Sequence, residues 1–390
     1  MYYHDIRTYN NYLYLFLRLF NFNSKIKLYN IMNIISSNYN PFNILYNSIT
    51  YIWNNDAQNY IKRPNHEDVK NLKLIIFNVD GVLSIGENPI EIARASFNKL
   101  IKLNIPICII TNEDRRSPKR IKKGLKLMGF NINEDIKIIT AGLLMLYHIS
   151  SIINPLTYHI INRQTKSEFK NHKKIFSSRK RNFAVIGEQD FFHYVKQNTL
   201  NRYDNVKFHW IYDDTASKNI DYFVIGSLNN TDNILEIINR IIKWIKLNQK
   251  AKFVITTPDI INVENNKILT TILPNMILKI VKDEFAKEEN MVELIKHINL
   301  NVEYPSKPNP IFIRDEIEYN YNIKIDDTFK NNIMIIGDNI ETDIKLGEQL
   351  NCFKSLVLCG VTKHTELYKL TKREQNNIDY IIPDISYLIL

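Results

Sequence analysis

The stretch LKLIIFNVDGVLS, residues 72–84, decides how the rest of the chain is read. Apolar residues dominate from Leu72 to Phe77, with Lys73 the one exception, and the run is then broken by Asn78, Asp80 and Gly81. A continuous apolar run bounded by turn residues predicts a strand buried on both faces, as in a parallel sheet. Such a strand would deliver two polar side chains to one rim and then turn sharply.

Outward from that run the pattern alternates. IEIARASFNKLIKLN (90–104) has helical spacing, PICIITN (106–112) is a second strand, and SPKRIKKGLKLMGF (117–130) a second helix. IKIIT (136–140) and AGLLMLYHISSII (141–153) repeat the unit. After a break, NFAVIGE (182–188), DYFVIGS (221–227) with the helix TDNILEIINRIIKWIKL, and AKFVITT (251–257) form a second βα series. NIMIIGD (332–338), the helix IKLGEQLN, SLVLCG (355–360) and DYIIPDI (379–385) close the chain, and Asn309 and Pro310 suit the cap and first position of a helix continuing as IFIRDEIEY. Alternating strands and helices predict a parallel sheet of right-handed crossovers. The fold class is therefore α/β. The expected organisation is a core from 71–151 and 304–390 with a smaller α/β cap inserted at 152–303.

Bulk properties narrow the alternatives. The net charge is +10 over 390 residues, but a composition rich in Asn, Ile, Lys and Tyr makes a basic bias spread over solvated faces the expected source. There is no specific nucleic-acid motif and no zinc spacing. The segment 158–182 holds eight Lys and Arg against the single acid Glu168 and is read as an exposed basic insertion. Cys108, Cys352 and Cys359 form no close pair, and buried reduced thiols are expected, Cys108 and Cys359 lying in apolar runs. No run approaches the ~18 apolar residues of a spanning helix. Residues 1–70 read as an N-terminal extension. Residues 6–55 carry Arg7, Arg18, Lys25 and Lys27 and no acid, which is what a transit peptide for a mitochondrion or other organelle looks like. Without such targeting the expectation is cytoplasmic.

In open parallel sheets, ligands bind beyond the carboxyl ends of the strands, where strand order reverses. Three strands end in polar groups there: Asn78 and Asp80, Thr111 and Asn112, and Asp338 followed by Asp343. Lys307 precedes the third on a Pro-flanked loop. Carboxylates, a hydroxyl, a lysine and turn glycines at one rim make a site for phosphate and a hard divalent cation.

In this order, N-V-D-G-V-L, I-I-T-N, S-K-P and G-D-N-I-E-T-D resemble the four motifs of the haloacid dehalogenase-like (HAD) hydrolases. TNEDRRSPKRIKKGLKLMGF, FAVIGEQDF, FVITTPD and SLVLCGVT further resemble the class IIA branch, which carries a large α/β cap between the second and third motifs and includes nucleotide, phosphoglycolate and pyridoxal phosphate phosphatases. The spacing of the last blocks is also similar to its cat-eye-syndrome-region subgroup. The resemblance covers roughly residues 71–390. It implies a HAD-like Rossmannoid parallel-sheet core with an inserted α/β cap domain, a small phosphorylated metabolite as ligand, and Mg2+ as cofactor; a homodimer is compatible with it.

Carried onto this chain, the resemblance implies the following roles. Asn78 stands at the position of the nucleophilic aspartate. Asp80 matches the general acid/base. Gly81, Thr111 and Asn112 would cradle the phosphoryl oxygens and Lys307 would offset their charge. Asn78, the Asp80 backbone carbonyl, Asp338 and Asp343 match the metal position. Arg115, with its neighbour Arg116, and Asp259 of the TTPD loop would meet the substrate from the cap side. Thr257 stands where the branch usually shows Asn.

The departure at Asn78 changes the expected chemistry. An amide oxygen carries no formal charge and its lone pair is drawn into resonance, so attack on phosphorus would leave a strained cationic adduct. The expectation is an impaired Mg-dependent phosphatase, or a silent pseudophosphatase that binds a phosphorylated metabolite or a protein partner. Slow deamidation before the β-branched Val79, or direct attack by a water that Asp80 activates, would leave some turnover.

Overall fold

The buried strand read from 72–84 runs from Leu74 to Phe77 (β1), and all four of its residues are buried. The structure is a computed structural model. It describes residues 60–155, 180–201, 203, 205–213, 218–229, 234–259, 271–325 and 332–389. The transit-like composition of residues 6–55 and most of the basic segment 158–182 fall outside them. The end of that segment does not: Arg181 and Asn182 open a strand rather than closing a loop.

Period-two packing explains β1. Ile75 and Phe77 join one apolar cluster with Ile107, Ile109, Met334 and Ile336. Leu74 and Ile76 join another with Cys108, Ile110, Ile333 and Ile335. A strand apolar on both faces is stable only when helices cover both, which is the doubly wound arrangement. β1 is followed by the helix Glu91–Leu100 (α1), Ile107–Thr111 (β2), Pro118–Leu127 (α2), Lys137–Thr140 (β3) and Ala141–Ile153 (α3). Ser117 and Thr140 cap α2 and α3 by accepting from the N–H groups of Arg120 and Leu143.

The chain then builds a second sheet from Arg181–Ile186 (β4), Val206–Trp210 (β5), Tyr222–Ile225 (β6), Lys252–Ile255 (β7) and Val302–Glu303 (β8). Its order is β8-β7-β6-β4-β5, every pair parallel. Ile237, Ile238, Ile241, Trp244 and Ile245 form the buried stripe of the helix Ile234–Leu247 (α4), which covers one face of this sheet. The chain returns to the first sheet through the helix Ile311–Tyr321 (α5) and the strands Ile333–Gly337 (β9), Phe353–Val357 (β10) and Tyr380–Ile382 (β11). Pro310 occupies the cap of α5, one position later than expected. The Asn309 side chain still accepts the Ile311 N–H at 3.1 Å, so the capping chemistry is present with the register moved by one residue.

The core sheet has the order β11-β10-β9-β1-β2-β3, all parallel. The chain winds from β1 toward β3, makes the cap, and returns on the other side of β1. Strand order therefore reverses between β1 and β9, and a crevice opens at their carboxyl ends.

Two sequence expectations shift. The compact unit starts at Ile61, earlier than the boundary at 70, because both backbone groups of Lys62 bond Ile381 on the edge strand at 3.0 Å. Cys108 and Cys352 are buried, whereas Cys359 is only half-buried, its thiol donating to the Gly81 carbonyl at 3.0 Å. Burial pushes all three thiols up to about 12, so they stay protonated at neutral pH. No helix among the described residues is long and apolar enough to cross a membrane.

Candidate active site

Asn78 and Asp80 leave β1 at the strand-order reversal and Asp338 leaves β9 beside them. Gly81 makes the turn possible. Its φ is +79°, and a Cβ there would run into the Asp338 carboxylate and lie 2.8 Å from the Gly360 Cα. Its N–H, however, donates to the Ser84 carbonyl at 2.7 Å. The expectation that it cradles a phosphoryl oxygen is corrected: Gly81 serves close backbone packing.

Lys307 is 2 % exposed and organises the floor. Its ammonium donates to Asp343 Oδ1 at 2.6 Å and to Asn78 Oδ1 at 2.9 Å. Asp343 Oδ2 accepts the N–H groups of Asp338 and Asn339, both at 3.1 Å. With both oxygens engaged and no side-chain exposure to the cavity, Asp343 supports Lys307 and the turn. It sits as a supporting carboxylate beside the position that the resemblance gives to the metal. Gly337 is required behind it, since a Cβ there would collide with the Asp343 side chain.

Asn78 completes the network from the other side. Its Nδ2 donates to the Asp80 carbonyl and to Asp338 Oδ1, each at 2.9 Å. Asp338 Oδ2 accepts the Val361 N–H at 2.6 Å. Burial and the neighbouring Asp343 push the Asp338 carboxyl up to about 7. Burial, then Glu113, push Asp80 up to about 6. In both, burial outweighs the lowering effect of Lys307, which Arg116 and Arg115 reinforce at Asp80.

These contacts bear on the divalent cation implied by the resemblance. The Asp80 carbonyl and Asp338 are hard oxygen donors of the kind Mg2+ takes. Yet the Asn78 NH2 is aimed at both, and an N–H donor cannot ligate a cation. Hydrogen bonds involving ionised groups are worth about 1.5–3 kcal/mol, and turning the amide over would forfeit those to Asp338 and Lys307. As arranged, the residues do not fit the ion.

The loop after β2 supplies the other wall. Thr111 is buried, and its hydroxyl oxygen accepts the Glu113 N–H at 3.1 Å. Asn112 Nδ2 crosses to the cap and donates to Asp259 Oδ2 at 2.9 Å, while Thr257 Oγ1 donates to the same oxygen at 2.8 Å. The Asn112 Oδ1 and Asp259 Oδ1 atoms are buried with no hydrogen-bond partner among the described residues. Burial lifts the Asp259 carboxyl above its usual range despite the Asn112 bond. Arg115 is held on Glu113, Nε to Oε1 at 3.3 Å, with Arg116 Nε 3.2 Å from Oε2. Burial alone would lift Glu113, but the two guanidiniums hold it below the usual carboxylate range.

Two residues of this loop had no assigned role. Glu113 positions both arginines. Asp114 is buried and its Oδ2 accepts the Thr256 hydroxyl at 2.6 Å and the Ser227 N–H at 2.8 Å, both on the cap. The Ser306 hydroxyl also donates to the Thr256 carbonyl. Burial, then the charge of Glu113, raise the Asp114 pKa. The signal available in the sequence was E-D directly after the strand-end T-N, two acids where a solvated turn needs none.

These walls enclose a cavity of about 100 Å³ between core and cap. Asn78, Asp80, Thr111, Asn112, Arg115, Asp259, Lys307 and Asp338 all line it; of the residues singled out from the sequence, Gly81 and Asp343 do not.

Two family models match the chain. Residues 75–198 match the family described as haloacid dehalogenase-like hydrolase and residues 305–388 the one described as HAD-hydrolase-like. Together they account for more than half of the chain. No curated protein matches the sequence significantly. Among solved structures, the p-nitrophenyl phosphatase from Archaeoglobus fulgidus superposes with a TM-score of 0.55 at 18% identity, over 81% of this chain and 98% of that one. A possible sugar phosphatase from Cytophaga hutchinsonii gives 0.59 at 16% identity, over 84% and 99%. The glycerol phosphate phosphatase from Mycobacterium tuberculosis, solved in complex with calcium, gives 0.55 at 14% identity, over 82% and 76%. At these identities the likeness is one of fold.

Proposed function

We propose that this chain, which belongs to the haloacid dehalogenase-like hydrolases, binds a small phosphate monoester in the core–cap cavity and hydrolyses it very slowly or not at all. The solved structures of similar fold include a p-nitrophenyl phosphatase and a glycerol phosphate phosphatase, and the cavity is lined by the groups a phosphate monoester needs. Lys307, Arg115 and Arg116 supply positive charge. The Thr111 hydroxyl has a hydrogen to give, because among the described residues its oxygen is engaged only as an acceptor from Glu113. Asp80, its carboxyl raised to about 6, can hold or release a proton at the bridging oxygen of the ester.

The observation that carries the reading is the state of Asn78. Its Oδ1 faces the Lys307 ammonium at 2.9 Å, as a carboxylate oxygen of a nucleophile would. The amide nevertheless has no charge to donate to phosphorus, so the acyl-phosphate step is closed. Loss of a nucleophile that acts in concert with other groups costs several powers of ten in rate. What remains is recognition of the ester.

The test pairs parent protein with Asn78→Asp against a panel of phosphate monoesters. Binding by both, with turnover at least a thousandfold higher in the variant, is the expected result. Equal and robust turnover in both would overturn the reading, unless intact mass shows the roughly one-dalton gain of deamidation.

A further inference from the structure

We propose that the Asn78 side-chain amide stands in the place of the divalent cation, and that the pocket takes up a phosphoryl group without metal. The ligand half of this proposal rests on the function proposed above; the cation half rests on the amide's surroundings alone.

The orientation of the amide is dictated by its partners. Lys307 Nζ has only hydrogens to offer, whereas the Asp80 carbonyl and the Asp338 carboxylate offer lone pairs. A single orientation satisfies all three. Turned over, Nδ2 would meet the ammonium and Oδ1 would meet two oxygens. In the observed state one NH2 group bridges the carbonyl and carboxylate that a cation would otherwise join.

The surrounding packing keeps Asp338 from moving aside to reopen the gap. Its second oxygen is tied to the Val361 N–H at 2.6 Å. A Cβ on either Gly81 or Gly360 would collide with the same carboxylate, so backbone closes on it from two sides. A cation entering here must expel a group that already makes both of its bonds.

Charge does not forbid the exchange. An aspartate at position 78 together with a divalent cation would bring a net charge of one unit, and a neutral amide brings none. The site gives up one positive charge rather than two. Lys307, Arg115 and Arg116 share the lining with Glu113, Asp80, Asp114, Asp259 and Asp338, and burial favours the neutral form of the last four, which lowers the repulsion an anion meets.

Titration calorimetry with Mg2+ on the parent, Asn78→Asp and Asn78→Ala decides the cation half. Both variants remove the blocking donors, and the second keeps the site neutral should the first fail to fold. The expected result is at least a tenfold gain in Mg2+ affinity in either variant over the parent, whose melting temperature EDTA leaves unchanged. Mg2+ affinity in the parent within threefold of both variants would overturn the proposal. Inorganic phosphate is then titrated into the parent with Mg2+ and with EDTA. Equal affinity supports the metal-free pocket, and binding that requires Mg2+ overturns it. No phosphate binding under either condition would remove the proposed function instead, and the role of the amide would stand or fall on the Mg2+ contrast.

Discussion

Asp114, on the loop after β2, accepts the hydroxyl of Thr256 on the cap at 2.6 Å, and the Ser227 N–H reaches the same oxygen at 2.8 Å. One buried carboxyl thus ties the cap to the core at the back of the cavity. Asp114→Ala would leave two buried donors unpaired. At about 1–3 kcal/mol for each unsatisfied group, a loss of about 2–6 kcal/mol in unfolding free energy is expected, measured by denaturant titration.

The same residue gives stability a pH dependence. Burial, then Glu113, raise its folded pKa above the ordinary carboxylate value. The folded state then holds a proton that the unfolded chain has released, so stability falls as pH rises across that interval. The contribution is complete below the usual carboxylate pKa near 4 and is lost as pH passes through the raised value. Asp114→Asn keeps an oxygen for both donors and cannot ionise. Relative to the parent it should gain stability steadily across that window, and a constant difference from pH 4 to pH 8 would refute the assignment.

Lys307 and Asp343 form a pair whose side chains are 3% and 1% exposed, with a separation of 2.6 Å. Removing one member of a buried pair strands the other, at about 3–5 kcal/mol. Lys307→Met should therefore unfold at markedly lower denaturant concentration than the parent. Adding Asp343→Asn should recover part of the loss, because the stranded charge is gone. Double-variant stability no better than the single would show that the cost lies in packing.

Much of this was legible in the chain because burial leaves a pattern. Leu74–Phe77 had to be covered on both faces, and that requirement, with alternating helices, leads to a parallel sheet and a strand-order reversal. The reversal then makes Asn78, Asp80, Thr111, Lys307 and Asp338 neighbours. Direction and partnership were not legible. Nothing in N-V-D-G tells which way the Asn78 amide turns, since that depends on Lys307 and Asp338, 229 and 260 residues away. The resemblance implies phosphate contact by the N–H groups around Gly81, while the N–H of Gly81 closes its own turn. Glu113 and Asp114 lie in the TNEDRR stretch, but nothing in the sequence marks them as buried. Their burial exists only once the cap is in place.

Asn112 Oδ1 and Asp259 Oδ1 are buried acceptors with no hydrogen-bond partner among the described residues, and both residues line the cavity. They lie on opposite sides of the core–cap seam and are joined through Asn112 Nδ2 and Asp259 Oδ2. A ligand hydroxyl or amino group that enters the seam would satisfy them. Asp259→Ala is expected to leave the affinity for inorganic phosphate unchanged and to weaken phosphate esters bearing such donors about tenfold, or roughly 1.4 kcal/mol. Equal weakening of both ligands would place Asp259 in general cap stability rather than in ligand choice.

Gly81 offers the sharpest link between fold and site. It combines a positive φ with a backbone surface pressed against Asp338 and Gly360. Gly81→Ala incurs strain for the left-handed conformation, about 1 kcal/mol or more, and also overpacking of about 1–3 kcal/mol. The expected loss is about 2–4 kcal/mol in denaturant titration. Because the added carbon points at the Asp338 carboxylate, the distortion should extend to the Asn78 bridge and weaken phosphate binding. Gly86 has φ +58° but nothing within 4 Å of a built Cβ, so Gly86→Ala isolates the backbone strain. If Gly86→Ala costs as much as Gly81→Ala, contact with Asp338 is not what makes position 81 require glycine.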